Sequence, residues 1–397
     1  MIHPVRLVRI LLLLEAVAVV GAGCGGSPHP ANHALITACG LLASECVPLD
    51  GASPVALFAG DLNGNLALDL VVANFSRANV TTLFNNGDAS FTIGNNAQVG
   101  DTPLSIAGGD WDGDGDLDLV VTAGFRLALL FNRGDGSFEP AVEMYLGWPP
   151  WAVAAADLDN DGDLDLVAVN GIGDDIWILY NDGQGFFTVE TLKLNDPDAK
   201  LHGVAIGDFD NNGRVDIAVA QEYDKILLLT GGESEQFVVT KELSVGPTRA
   251  LSALAVPDVN NDAWADLIVT VSGDRNDPAD PGEVVILCNN AGDFGPASAL
   301  PAGRYPLSVA TGDFDQDGLV DLAVANNLSD DVSIFFNQSN AIFASPRHIS
   351  VGDGPSFIIA EDLDGDGVVD LAVANMNSDS ISILINDGTG QFIPEGQ

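Results

Sequence analysis

The sequence predicts an all-β chain folded as a seven-bladed β-propeller, and three observations predict it. Seven copies of one acidic nine-residue loop recur, their starts separated by 49, 47, 51, 50, 55 and 49 residues. Each loop lies between short apolar runs rich in Val, Ile, Leu and Ala, which are too short for helices and read as buried strands. No stretch sustains a helical period. Four short antiparallel strands in each repeat of roughly 50 residues describe a propeller blade, and seven repeats make seven blades.

The elements follow in the same order in each repeat. A turn leads into the first strand, as in Ser53-Pro-Val-Ala-Leu-Phe, Thr102-Pro-Leu-Ser-Ile-Ala, Tyr305-Pro-Leu-Ser-Val-Ala and Gly354-Pro-Ser-Phe-Ile-Ile. The acidic loop comes next, and then an apolar second strand such as Leu119-Val-Val-Thr-Ala. A third strand, such as Ile176-Trp-Ile-Leu-Tyr-Asn or Val332-Ser-Ile-Phe-Phe-Asn, ends in an Asn-x-Gly-type turn, a hairpin signal. The fourth strand is more polar and is expected to open at Phe138, Phe186, Phe237 and Phe343. The seventh repeat runs out at Phe392, just where its fourth strand should begin. Residues 41–50 sit where earlier blades would carry that strand. They are expected to pair into blade seven, closing the ring and removing an open sheet edge.

Each loop places an oxygen-bearing side chain at positions 1, 3, 5 and 9. These are Asp61, Asn63, Asn65 and Asp69; Asp110, Asp112, Asp114 and Asp118; Asp157, Asp159, Asp161 and Asp165; Asp208, Asp210, Asn212 and Asp216; Asp258, Asn260, Asp262 and Asp266; Asp313, Asp315, Asp317 and Asp321; and Asp362, Asp364, Asp366 and Asp370. Hard oxygen ligands with no His or Cys among them suit Ca2+. Glycine at position 6 tolerates the positive φ of a sharp turn. An EF-hand would need Glu at position 12 and a helix after it. Here position 12 is Val121, Ala168 or Val324 within a strand-like run, which excludes that motif. Up to seven Ca2+ sites result, strongest at the loops starting at Asp110, Asp157, Asp313 and Asp362. The Asp208 loop follows closely. The Asp61 loop has two Asn and Leu66 in place of Gly, and the Asp258 loop has Asn260 and Ala263. Those two either bind weakly or hold their turns by side-chain hydrogen bonds alone. The ion's expected role is structural, neutralising carboxylates that would otherwise repel one another.

The Asp-x-Asp-x-Asp-Gly-x-x-Asp loops, the x-Pro-x-x-Val lead-in and the Ile-Leu-x-Asn-x-Gly-x-Gly-x-Phe ending resemble the FG-GAP/VCBS repeat family, which is similar to the integrin α-subunit β-propeller. The resemblance covers roughly residues 41–397. It implies calcium in the loops joining strands one and two, on the lower face. It also implies ligand binding on the opposite face, from the loops joining strands two to three and four to one. The family includes adhesins, lectin-like proteins and parts of carbohydrate-active enzymes, so it implies no single activity.

Residues 1–23 read as a signal peptide, with Arg6 and Arg9 ahead of an apolar core from Ile10 to Val20. Val20-Gly-Ala-Gly-Cys24 resembles a bacterial lipoprotein cleavage site, which implies lipidation at Cys24. Glu15 within the core and Gly21 depart from that pattern, and plain secretion is the alternative. Residues 24–40 form a flexible tether and residues 41–397 the propeller. An exported chain, lodged in a bacterial envelope or secreted, permits a disulfide between Cys39 and Cys46. Cys288 reads as a buried thiol. The net charge is −43, and 24 of the 57 acids are loop ligands. The other 33 acids still outnumber the 14 bases, so nucleic acid and anionic membrane are excluded as partners; membrane contact would come only through a lipid anchor.

No catalytic constellation is apparent. His3, His29 and His33 fall in the signal peptide and tether, while His202 and His348 are isolated. Acid pairs leave glycosidase chemistry open by residue type, but calcium accounts for nearly every tight Asp cluster. Function is expected where the repeats diverge. Trp148-Pro-Pro-Trp151 replaces the usual turn before blade three, and its two rings either stack on a sugar or pack against the neighbouring blade. The insertion Ser272–Glu283, which carries Arg275, enlarges the loop between strands two and three of blade five. Arg77, Arg126, Tyr223, Arg249, Arg304 and Tyr305 are further candidates on the ligand face, whereas Trp111 and Trp264 read as packing residues. The expected function is a non-catalytic binding or adhesion module for protein or polysaccharide. The alternatives are a carbohydrate-active enzyme (polysaccharide lyase or glycosidase-like) and a purely structural envelope component.

Overall fold

Seven four-stranded antiparallel sheets, each built from consecutive strands, are arranged as blades around a ring. The computed structural model describes residues 46–393, except 197–198, 223, 232–235, 247–248 and 278. The expected signal peptide, Cys24, the tether, Cys39 and Tyr223 lie outside the described residues. Among those described there is no α-helix, and one 3-10 turn at Phe75–Arg77 joins strands two and three of blade one. No helix among them is long and apolar enough to cross a membrane.

The first strand of each blade touches the first strands of both neighbours, so Pro54–Gly60, Pro103–Gly109, Pro150–Ala156, Leu201–Gly207, Leu251–Ala255, Pro306–Gly312 and Pro355–Glu361 form a closed inner cycle. All seven slip register near their start as they pair with the second strand. Such bulges bend and twist a strand, and here they curve each innermost strand at the same depth. The second strands, from Asp69–Asn74 to Asp370–Asn375, are buried at every residue. Neighbouring blades cover both of their faces, which is why these strands are continuous apolar runs rather than alternating ones. Fourth strands lie at the rim and are mostly exposed, as in Phe187–Lys193.

The ring closes through both ends of the chain. Cys46–Pro48 pairs antiparallel with blade seven's third strand, Ser380–Asn386, setting Val47 opposite Ile381. Phe392 pairs with Asn386 at the other end of that same strand. The outer strand of blade seven is thus shared between the two termini. The expected closing segment 41–50 acts through its described part. Cys46 is disulfide-bonded, and the expected pairing to Cys39 reaches outside the described residues.

Three boundaries differ from the sequence expectation. The fourth strands of blades two and six begin at Val142 and Arg347, with Phe138 and Phe343 ahead of them in isolated bridges to Asn132 and Asn337. The fourth strand of blade three begins at Phe187, which pairs with Asn181, and Phe186 is 71% exposed. Phe187 instead packs on Trp111 of blade two, with ring centroids 6.0 Å apart. Phe294 on Phe209 and Phe392 on Phe314 repeat this contact, at 6.0 and 5.7 Å. The loop residue at position 2 therefore seats the next blade, and only the second Phe of the pair reaches it.

Candidate metal centres

The acidic loops join strands one and two in every blade and share one face. Position 9 is their fixed point. Asp69, Asp118, Asp165, Asp216, Asp266, Asp321 and Asp370 are fully buried. In each, Oδ2 accepts from the backbone N–H at position 2, as from Trp111 at 3.1 Å and Phe314 at 3.0 Å. Oδ1 accepts from the N–H that ends strand three, as from Asn132 at 2.7 Å and Gly231 at 3.2 Å. Two backbone donors thus orient each carboxylate and leave lone pairs facing the loop. Position 1 accepts the N–H of position 6 in all seven loops, as Asp110 Oδ2 does from Gly115 at 3.0 Å. Position 5 accepts the N–H of position 7. The turn is therefore built by the chain's own donors.

In five loops the carboxylates converge. Asp110, Asp112 and Asp118, and their counterparts at 157/159/165, 208/210/216, 313/315/321 and 362/364/370, each bring three ligand oxygens within 4.8 Å of one another. Oxygens bound to one Ca2+ at about 2.4 Å lie at most about 4.8 Å apart, so these sets fit a single coordination shell. Buried Asp112 Oδ1, Asp157 Oδ1 and Asp315 Oδ1 have no hydrogen-bond partner. A buried carboxylate oxygen without a donor is costly, and a cation at the centre of the loop would supply what it lacks. Burial, with repulsion from loop neighbours, pushes Asp118, Asp165, Asp216, Asp266 and Asp370 up to about 6 and Asp321 to about 7. Asp69, Asp112, Asp315 and Asp364 are raised for the same first reason. A divalent ion would hold these groups ionised.

The loops of blades one and five are satisfied differently. Asn63 Nδ2 donates to Asp69 Oδ2 at 2.9 Å, and Asn260 Nδ2 donates to Asp262 Oδ2 at 3.1 Å. The amide at position 3 supplies a proton donor where the other loops place another carboxylate. Leu66 and Ala263 adopt φ of +73° and +67° in place of the glycine, so the turn is kept at some backbone strain.

A residue with no assigned role in the sequence reading ties the loops together. The Asn ending strand three reaches across each seam. Nδ2 of Asn85, Asn132, Asn181, Asn289, Asn337 and Asn386 donates, at 2.7–3.0 Å, to the position 2 carbonyl of the preceding blade's loop. Blade four has Gly231 there, leaving the seam between blades three and four without this bond. The signal was present in the sequence as Asn recurring before the hairpin glycine, but a local turn accounts for it equally well.

On the opposite face the candidate residues scatter. Trp151 stacks on His202 of the next blade, with centroids 5.3 Å apart and planes 15° apart. It also lies against Gly171, where a Cβ would sit 2.3 Å from the indole. Trp151 therefore packs a seam, and the burial of His202 pushes its imidazole pKa down. Trp148 remains 43% exposed. Arg275 stacks over Tyr305 at 5.0 Å, and Arg304 donates to the Arg275 carbonyl at 3.4 Å. Arg249 pairs with Asp280 at 2.9 Å, fastening the inserted loop, and Arg77 donates to the Asp50 carbonyl. His348 pairs with Asp331 at 3.2 Å. Trp111 is buried and Cys288 half-buried.

A ring of β-blades with an acidic loop repeated at the same place in every blade defines a class of repeat propeller, and likeness to known proteins gives the family. The FG-GAP-like repeat model matches residues 53–121, 122–168, 157–219, 208–269, 258–324 and 313–373. The chain belongs to the FG-GAP-like repeat family. It is 33% identical to integrin alpha-7 of Mus musculus over 111 residues, 25% of this chain and 9% of that protein. It is 32% identical to integrin alpha-3 of Cricetulus griseus over 135 residues, 31% of this chain and 13% of that protein. The chain thus spans about a tenth of the length of these relatives. Among solved structures, BBS1N in complex with ARL6DN superposes with a TM-score of 0.62 at 14% identity, covering 90% of this chain and 98% of that one. An Agrocybe aegerita lectin specific for non-reducing terminal N-acetylglucosamine gives 0.55 at 17% identity, covering 88% and 93%. At these identities the likeness shows the fold alone.

Proposed function

We propose that this chain is an exported, calcium-stabilised propeller that acts as a non-catalytic binding or adhesion module, held to a bacterial envelope through a lipid on Cys24. The observation that carries the reading is that, among the described residues, the carboxylate groups close enough to share one metal ion all lie in turns on one face. Five of those turns present three converging carboxylates each, and the hydrogen bonds around them fit a structural role. The described histidines, His202 and His348, are engaged in a ring stack and a contact with Asp331. The family and the integrin alpha likeness support recognition on the other face, with protein or polysaccharide as the ligand. When bound, calcium would neutralise the clustered carboxylates. The chain's own donors fix the turn, and position 9 fixes the start of strand two.

The test presents the protein, in calcium and again in chelator, to immobilised cell-surface proteins and polysaccharides while soluble products are followed. Saturable, calcium-dependent retention without product is expected. Steady release of oligosaccharide would replace this reading with a carbohydrate-active enzyme.

A further inference from the structure

Of the large apolar side chains that the described surface exposes, four are aromatic: Phe125, Tyr145, Trp148 and Phe186. The segments that carry three of them meet at one corner of the face opposite the acidic loops. Phe125 lies in the turn between strands two and three of blade two, Tyr145 ends that blade's fourth strand, and Trp148 begins the passage into blade three. The Leu146 N–H donates to the Phe125 carbonyl at 3.2 Å, which sets the turn beside the end of the fourth strand. Gly147 then bends the chain at φ +87° and delivers Trp148.

The corner is fixed although it is exposed. Tyr145 is 67% exposed, yet its hydroxyl donates to Glu143 Oε2 at 2.8 Å and accepts from Arg126 Nη1 at 3.1 Å. Arg126 also pairs with Glu143 at 2.6 Å and stacks over the Tyr145 ring at 5.5 Å. It lies against Gly100, where any Cβ would collide with the guanidinium. A ring held this way loses little freedom on binding.

The repeats provide an internal control. Tyr145 pairs in register with Arg126. The residues at the equivalent pairing position in blades one, three, four, five and six are Gln98, Lys193, Ser244, Pro301 and Ser350. Blade seven has Pro48 there, and blade four repeats the cation–carboxylate pair as Lys225–Glu242, so what sets blade two apart is the ring, which the blade fold does not need.

We propose that Phe125, Tyr145 and Trp148 form a platform for a neutral polysaccharide; this rests on the reading of the chain as a binding module and names its site and ligand class. Arg126 and Glu143 cancel each other's charge, and the charged side chain left beside the turn, Asp101 against Gly124, repels an anionic ligand. The chain's charge of −43 repels acidic polymers. What remains are the exposed rings of Phe125 and Trp148 and the face of Tyr145 turned away from Arg126, beside fixed donors and acceptors. Pyranose rings match this pattern, with C–H faces to stack and hydroxyls to bond. A protein partner would anchor instead through side chains sunk into a well-packed pocket.

The full chain, in calcium, is titrated by calorimetry with cellohexaose, mannohexaose, xylohexaose and, as the acidic control, hexagalacturonate. At least one neutral hexasaccharide is expected to bind, and hexagalacturonate is not. Tyr145→Ala and Trp148→Ala should each weaken binding at least about tenfold at unchanged melting temperature. Tyr145→Phe, which keeps the ring, should retain most of the affinity. A neutral sugar that binds both alanine variants as it binds wild type overturns the platform and leaves the binding-module reading standing. Preference for hexagalacturonate, or no sugar binding by the folded protein, also overturns it. If surface proteins are nevertheless retained in calcium, the module reading survives that failure; if they are not, both fall.

Discussion

Blades two and five carry the same nine-residue turn on the same face, yet they satisfy it by different means. In blade two, Asp110, Asp112 and Asp118 converge and Asp112 Oδ1 is buried without a donor. In blade five, the Asn260 amide donates to Asp262 and stands where Asp112 stands. The backbone pattern is otherwise shared: position 1 accepts from position 6, position 5 from position 7, and position 9 from position 2. The turn geometry is thus independent of the ion. The demand for an ion follows from position 3, where a carboxylate leaves unmatched negative charge and an amide does not.

The largest test of this contrast is removal of calcium. At millimolar calcium and the weak affinities of extracellular sites, each acidic loop contributes about 1 kcal/mol, so five contribute on the order of 5 kcal/mol. Chelation should lower the melting temperature accordingly, and an unchanged melt would refute a structural ion. The response to pH gives the sign. In the metal-free fold Asp118, Asp165, Asp216 and Asp370 stand near 6 and Asp321 near 7, above the 3.8 of an unperturbed Asp. A raised acid binds more protons folded than unfolded, so its contribution is fully present below about pH 4 and is lost as pH rises through 6 to 7. In chelator the protein should therefore melt higher at pH 5 than at pH 7.5. Calcium competes with those protons, and its stabilising effect should be larger at pH 7.5. The same melt in both buffers and at both pH values would remove the basis of the comparison.

A smaller effect tests what the two kinds of loop have in common. Asn132 bonds the Leu62 carbonyl in blade one's amide loop, and Asn386 bonds the Phe314 carbonyl in blade six's acidic loop, each at 2.8 Å. Each also bonds the position 8 carbonyl of its own blade, at 3.1 and 3.0 Å. Alanine at either site leaves two buried carbonyls short of a donor, a loss of about 2–4 kcal/mol. The cost should be the same in chelator for both variants, because the latch grips the backbone and not the ion. A cost at Asn386 that appears only in calcium would show that the latch depends on the metal.

The sequence exposed the ring through repetition: seven loops at a near-constant period leave little choice of architecture, and the run-out at Phe392 pointed to the pairing of Cys46–Pro48 with blade seven. The latch was hidden because its partners lie 70 or more residues apart, and Asn-x-Gly already explains itself as a turn. Phe186 and Phe187 are equivalent in pattern, and only the position of Trp111 distinguishes them. The doublet Trp148 and Trp151 looked like one site. A stack on His202, 51 residues away, takes Trp151 out of it, and the pairing of Arg126 with Tyr145 brings in rings that no linear motif joins to Trp148.

The finest test exchanges the determinant itself. Asp112→Asn gives blade two the amide of blade five, and Asn260→Asp does the reverse. Asp112→Asn should lower the number of calcium ions bound by one and trim the calcium-dependent gain in stability by about 1 kcal/mol. In chelator it should melt no lower than wild type, since it removes the charge from a buried group with an unpartnered oxygen and supplies an N–H donor to the neighbouring carboxylates. Asn260→Asp should destabilise the chelated protein, because Asp262 loses its donor and gains a like charge beside it. In calcium that variant should gain affinity at the blade five loop, although Ala263 in place of glycine keeps the turn strained there. If titration calorimetry finds the same stoichiometry and affinity for wild type and both variants, position 3 does not decide which loops take calcium. The difference would then rest on position 6, where Ala263 and Leu66 replace glycine, and the same titration of Ala263→Gly would show it.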